Sequence, residues 1–317
     1  MIDFIMIVAG LVMLFLGGDW LVHSSVSIAR RMGLSTLLVS VVIVGFGTSA
    51  PELLVSVQAA LMNSADIALG NVVGSNIANI LLILGLGSVL GIIHCDKKEV
   101  VRDVVAVTLA SVLLASLSFT GVINRMTGFA FIALLSSYLF YSIRSARKQD
   151  GGTQEEEFNN PSDSLSLKKA VPFALLSLAT VVIGAKLLVT GAVYIARDLG
   201  IPEAVIGLTI VAVGTSLPEL ATAVAAARKQ EGDVIIGNVL GSNLFNILAI
   251  LGIAAIITDI PYGGQIAALD VWVMVGVALL LLSIVMIRKQ LGKLSGIFFL
   301  VLYAGYMGWL ALSAQAA

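Results

Sequence analysis

The sequence is poor in nearly everything a water-exposed surface needs. Charged residues make up 12% of its 317 positions against 59% hydrophobic ones, and its mean hydropathy is +1.05. A soluble domain of this length carries roughly a quarter of its residues as charge, so a soluble globular fold is excluded. Cysteine is almost absent. The single Cys95 rules out an intramolecular disulfide and a cysteine-built metal cage. The two histidines, His23 and His94, are too isolated to suggest a metal site. No basic cluster points to nucleic acid, and the net charge is −1. Neither a Gly-x-Gly-Asp run nor a His-Glu-x-x-His helix is found, which argues against an intramembrane protease.

What fills the chain instead is apolar sequence in stretches long enough to cross a bilayer, about 20 residues each. Ten spans are expected, near 4–29, 36–62, 67–93, 103–121, 126–143, 170–196, 203–226, 234–257, 269–287 and 295–313. The first lacks a basic leading segment and its apolar run is too long for a cleaved signal peptide. Fifteen of the 18 basic residues fall in alternate loops, while Arg125 and Arg197 lie in the others and Lys186 within a span. The positive-inside rule then places the basic loops in the cytoplasm and both termini outside.

The chain also repeats itself. "GFGTSAPELL" (Gly45–Leu54) returns as "AVGTSLPELA" (Ala212–Ala221), and "GNVVGSNIANILLILG" (Gly70–Gly85) as "GNVLGSNLFNILAILG" (Gly237–Gly252), all at an offset of 167 positions. Each unit holds five spans, and an odd number forces the second unit to enter the membrane from the opposite side. The expected architecture is an all-α polytopic membrane protein of two inverted five-helix repeats. The first is 1–148, with its motif at 43–85; the second is 170–317, with its motif at 210–252. A polar cytoplasmic linker, 149–169, joins them; its "EEE" run is read as solvated charge.

A glutamate inside a span costs about 2–3 kcal/mol or more, so Glu52 and Glu219 require a cavity or a partner. Pro51 and Pro218 lack an N–H and break the helical ladder beside them, exposing carbonyls that protein, water or an ion must satisfy. Thr48 and Ser49 precede Glu52 by four and three residues and share its helical face; Thr215 and Ser216 do the same for Glu219. The next span of each unit adds Ser75 with Asn79, or Ser242 with Asn246, each at i, i+4. The nearby glycines Gly70, Gly74, Gly237 and Gly241 suit close helix packing. All these donors are hard oxygens, the set for calcium with sodium as competitor. Two neighbouring carboxylates repel unless a cation always neutralises them, as in an obligatory exchanger.

The four motif blocks, in this order, resemble the paired alpha repeats of the sodium/calcium exchanger family of the cation/calcium antiporter superfamily, in its compact prokaryotic form. The resemblance covers the whole chain. It implies a multi-pass protein of the cell (inner) membrane that exchanges sodium for calcium by alternating access, with the two ions and the bilayer as partners and neither cofactor nor protein partner. By position it makes Glu52 and Glu219 the shared ion carboxylates, and Thr48, Ser49, Thr215 and Ser216 the ligands beside them. It makes Ser75 and Ser242 sodium-site serines, and Gly45 and Ala212 carbonyl ligands. The proline argument alone frees Gly47 and Gly214. Asn79 matches an asparagine of the family, whereas some archaeal members carry an aspartate where Asn246 stands. Proton/calcium exchange, potassium-dependent exchange and a cation channel are the alternatives. Asp19 and its equivalent Lys186, in first spans that slide in the family, are read as buried structural contacts. Asp103 and Asp270 are read as stabilisers of helix N-termini.

Overall fold

The computed structural model describes residues 2–62, 65–149, 165–199, 214–264 and 266–316. Its helices are α1 (Ile2–Met32), α2 (Thr36–Thr48), α3 (Ala50–Leu61), α4 (Ala65–Ala78, continued to Leu90), α5 (Lys98–Leu117) and α6 (Arg125–Gln149) in the first half. In the second half are α7 (Leu167–Asp198), α8 (Leu217–Arg228), α9 (Gly232–Leu244, continued to Ile257), α10 (Val271–Arg288) and α11 (Lys293–Ala316). Among the described residues eight helices are long and apolar enough to span a bilayer, and the bent pair α2–α3 makes a ninth. The expected span 203–226 is described only from residue 214 onward, so its first half lies outside the described residues. Most of the expected linker does too, although α7 already begins at Leu167 within it.

Burial separates a core from a wall. The apolar windows of α4 and α9 are each 78% buried, against 33% for α1 and 28% for α7. The two "GNV" segments are thus surrounded by protein, and their polar side chains find partners inside it. By contrast α1 and α7 pack lengthwise on each other through small residues. A Cβ on Gly10 would stand 2.6 Å from the Gly184 carbonyl oxygen, and one on Gly17 would meet Val181. Their other faces carry Phe4, Leu11, Leu175 and Ile183, exposed as lipid-facing side chains are.

The inverted repeat is visible in the pairing of short extended segments at the helix ends. On one side β1 (Ile93–His94) pairs antiparallel with β4 (Gln290–Leu291); on the other, β2 (Val122–Ile123) pairs antiparallel with β3 (Ile260–Pro261). Ile93 and Ile260 are 167 residues apart, so each half sends equivalent segments to opposite faces. Lys97 joins the basic face through Asp233 at 2.6 Å.

Wide π turns, which unwind a helix locally, occur at Ser40–Gly45 and Ile266–Asp270 and again at Asn79–Leu84 and Phe245–Ile250. The last two are equivalent under the repeat, and such turns recur where a helix must aim side chains into a site.

A candidate cation site at the centre of two broken helices

Each motif proline sits where its missing N–H costs nothing. Pro51 occupies the first turn of α3 and Pro218 the first turn of α8, where backbone N–H groups have no helical acceptor. The residues ahead of them, Ser49 (φ −79°, ψ 10°) and Ser216 (φ −88°, ψ 6°), leave the helical region, and α2 bends into α3 by 46°. Glu52 and Glu219 therefore fall in first turns, where the helix dipole favours negative charge. Both are 1% exposed in the middle of the protein.

The hydroxyls cross from one repeat to the other. Ser49 Oγ donates to Glu219 Oε1 at 3.1 Å, and Thr48 and Ser242 also face that carboxylate. Thr215 and Ser216 face Glu52 in the same way. Ser242 Oγ donates to the Gly45 carbonyl at 3.0 Å, which also accepts from the Ser49 N–H at 3.3 Å. Gly45 can sit there only without a side chain, since a Cβ would lie 2.9 Å from the Asn238 carbonyl oxygen on α9. Ser75 and Ser216 line one cavity of about 560 Å³. Ala212 lies outside the described residues.

The asparagines form a clamp between α4 and α9. Asn76 Nδ2 donates to the Asn243 carbonyl, and Asn243 Nδ2 donates to the Asn76 carbonyl, each at 3.4 Å. A backbone carbonyl only accepts, so both amides must present nitrogen to it and turn their side-chain oxygens away. Those oxygens take the amide nitrogens of the candidate residues: Asn79 Nδ2 donates to Asn243 Oδ1 at 2.9 Å, and Asn246 Nδ2 to Asn76 Oδ1 at 3.2 Å. The chain of donors thus decides which end of Asn79 and Asn246 points inward. It is the oxygen.

Among the buried oxygens left without a protein partner are four that belong to the candidate residues: Glu52 Oε2, Glu219 Oε2, Asn79 Oδ1 and Asn246 Oδ1. They form two pairs under the 167-residue repeat. Buried acceptors without partners are rare and costly, about 1–3 kcal/mol each and more for a charged group. Among the described residues no three His, Cys, Asp or Glu side chains cluster. The donor set is therefore two carboxylates with neutral oxygens, which suits a hard cation and not zinc or copper.

Sequence reasoning passed over the four asparagines that hold this geometry. Besides Asn76 and Asn243, Asn71 Nδ2 donates to the Glu52 carbonyl at 3.2 Å and Asn238 Nδ2 to the Glu219 carbonyl at 3.3 Å. All four stand in the repeated block, at the same offset as the candidate ligands, and that was the available signal. Three minor readings change. Asp19 is not buried: it is about one-third exposed and pairs with Lys229 at 3.0 Å, while Lys186 lies on an exposed face. Asp103 is five residues inside α5 and pairs with Arg102 at 2.6 Å, so it caps nothing. Asp270 precedes α10 but makes no capping hydrogen bond, and accepts from the Tyr306 hydroxyl at 3.0 Å. Among the motif glycines, Gly237 and Gly241 do pack tightly on the Leu37–Val41 backbone, but Gly70 and Gly74 line the cavity.

A polytopic membrane fold of inverted repeats, with broken helices delivering charged oxygen donors to its centre, defines a secondary transporter of cations, an antiporter and not an enzyme. The chain belongs to the family described as sodium/calcium exchanger protein, whose model matches residues 2–144 and again 169–312. It is 36% identical over 309 residues to the putative antiporter CaxA of Alkalimonas amylolytica, covering 95% of this chain and 96% of that one. It is 33% identical to the inner membrane protein YrbG of Escherichia coli (97% and 95%), and 31% identical to the sodium/calcium exchanger MaX1 of Methanosarcina acetivorans (96% and 97%). A solved structure of the sodium-calcium exchanger NCX_Mj superposes with a TM-score of 0.85 at 31% identity, covering 97% of this chain and 99% of that chain.

Proposed function

We propose that the protein exchanges sodium for calcium across the membrane by alternating access, and that the transported ions are bound between Glu52 and Glu219. The observation that carries this reading is the set of four buried, donor-less oxygens, paired by the repeat. Two buried carboxylates close enough to repel each other, with donor-less amide oxygens on the helices that follow them, are stable only with positive charge beside them. The hydroxyls of Thr48, Ser49, Thr215, Ser216, Ser75 and Ser242 complete a shell that one calcium ion or several sodium ions fill, with the Gly45 and Ala212 carbonyls as backbone ligands. Because the empty pocket would leave two charges unscreened, the site changes sides only when loaded, and loading by one ion species excludes the other. That is obligatory exchange.

The two units, 1–148 and 170–317, supply one carboxylate each, and the segment 149–169 links them on the basic side. The charge bias of the loops supports a cytoplasmic basic face with both termini outside, and kinship with a named inner membrane protein supports the cell membrane as its location. Helices α1 and α7, joined through Gly10, Gly17 and Gly184 and only lightly buried, are suited to move together across the core.

The test is calcium uptake into proteoliposomes under sodium, potassium or proton gradients imposed one at a time. Uptake driven by an outward sodium gradient alone is expected. Uptake that ignores sodium and follows a proton or potassium gradient would replace sodium in the scheme, and uptake down the calcium gradient without any counter-ion would make the protein a channel.

A further inference from the structure

The surroundings of the candidate site differ between the two faces. On the face away from the basic loops, the cavity of about 560 Å³ is lined by Gly70, Asn71, Gly74, Ser75 and Ala78 of α4 and by the C-terminal half of α11. Gly70, Asn71 and Gly74 are half-buried there, and among the described residues a Cβ on Gly74 would meet nothing within 4 Å. The repeat puts Gly237, Asn238, Gly241, Ser242 and Phe245 at the corresponding positions of α9, which the inversion turns toward the basic face. Here the surface is shut. Asn238 and Ser242 are fully buried, and the backbone of α2 lies directly on α9. A Cβ on Gly237 would stand 2.8 Å from the Leu37 carbonyl oxygen, and one on Gly241 would overlap that of Val41.

Two phenylalanines meet at the deep end of this seam. Phe46 of α2 and Phe245 of α9 stack with ring centroids 4.6 Å apart and planes inclined by 27°. Both are half-buried and pack against the core. Phe46 follows Gly45, whose carbonyl accepts from Ser242, and Phe245 precedes Asn246. Each ring also adjoins a wide turn: one ends at Gly45, and the other begins with Phe245. The other repeat cannot form such a pair, because the residues equivalent to Phe46 and Phe245 are Val213 and Ala78.

We propose that Phe46 and Phe245 form an aromatic gate between the cation site and the basic face, and that the path from the opposite face has no equivalent. This rests on the exchange reading, in which the site opens to each face in turn. To open toward the basic face, α2 must lift from α9 and the rings must part. Loss of an aromatic stack shifts an equilibrium about two- to tenfold. The gate therefore sets how readily ions pass at one face, while neither ring offers the cation an oxygen.

The first test is thiol labelling in a Cys95→Ser background, with Ser242→Cys reporting on the basic side and Ser75→Cys on the opposite side. A membrane-impermeant methanethiosulfonate is applied to inverted vesicles, which present the basic face, and to right-side-out vesicles. Ser242→Cys should label slowly from the basic face. Adding Phe46→Leu or Phe245→Leu should speed this about fivefold, and both together no further, because either change removes the same stack. Ser75→Cys should label from the opposite face at a rate that neither leucine alters. Rates unchanged by both leucines, or raised at both reporters, would overturn the gate. So would additive effects, which mark two separate packing contacts. The second test is sodium-driven calcium uptake by the leucine variants without added cysteines. Half-saturating calcium should fall about fivefold at the basic face, as the open fraction rises, and stay unchanged at the other. Equal shifts at both faces, or a change in maximal rate alone, would contradict the proposal. Wild-type vesicles without sodium-driven uptake would instead refute the exchange reading, leaving the labelling to decide the gate.

Discussion

Replacing Asn243 with leucine isolates the amide clamp from the candidate ligands it positions. The change is close to isosteric and leaves both glutamates, all the hydroxyls and Asn79 in place. It removes the acceptor that holds Asn79 Nδ2 at 2.9 Å and the longer 3.4 Å bond to the Asn76 carbonyl. A buried amide N–H left without a partner costs about 1–3 kcal/mol, so a stability loss of about 2 kcal/mol is expected from thermal unfolding. The larger consequence is for the ion. With its partner gone, the Asn79 amide can turn its nitrogen inward, and losing the preference of one hydrogen bond, about 1.4 kcal/mol, weakens calcium binding roughly tenfold. Asn76→Leu should do the same through Asn246, since the clamp is reciprocal. Equilibrium calcium binding to purified protein checks both. A variant that is less stable yet binds calcium like the wild type would refute the reasoning, because the asparagines would then only hold α4 to α9.

Asn246→Asp introduces a group that can take up a proton beside two carboxylates; sodium-driven calcium flux should become weaker near roughly pH 6 than near pH 8, because protons compete for the pocket. Asn246→Ala should lower affinity without that dependence, and superimposable pH profiles for the aspartate variant and wild type would remove Asn246 from the pocket. Single cysteines at Met62 and Gln230, exposed positions that follow α3 and α8, should label from opposite faces, Met62 outside and Gln230 inside; same-side labelling contradicts the inverted arrangement. The native thiol should not interfere with that assay. Burial, with Asp233 and Asp96 nearby, pushes Cys95 up to about 12, so it carries almost no thiolate at neutral pH and should resist maleimide in the folded protein. Rapid labelling of the unmutated protein would show that Cys95 is accessible.

The class and the repeat were legible because both rest on composition and periodicity, which act over many residues at once. Glu52 and Glu219 were legible for a different reason: a carboxylate beside a proline in an apolar run has few structural explanations. The wide turns at Asn79–Leu84 and Phe245–Ile250 were not legible, since Ile, Leu and Asn fit an α-helix or a π turn equally well and only cross-repeat packing selects the latter. The asparagine clamp was hidden similarly. Asn76 and Asn79 lie on one helix, but their partners lie 167 and 164 residues away. Surface pairing escaped too. Asp19 meets Lys229 across 210 residues, a contact that no local pattern announces.

The central claim is that Glu52 and Glu219 hold the transported cation together. Equilibrium binding of radioactive calcium to the purified wild-type protein, with increasing sodium, tests it most directly when repeated on Glu52→Gln and Glu219→Gln. The account predicts saturable binding that sodium displaces in the wild type, and its loss in each single variant, with all three proteins folded. Sodium-displaceable calcium binding of unchanged affinity in either variant would contradict it.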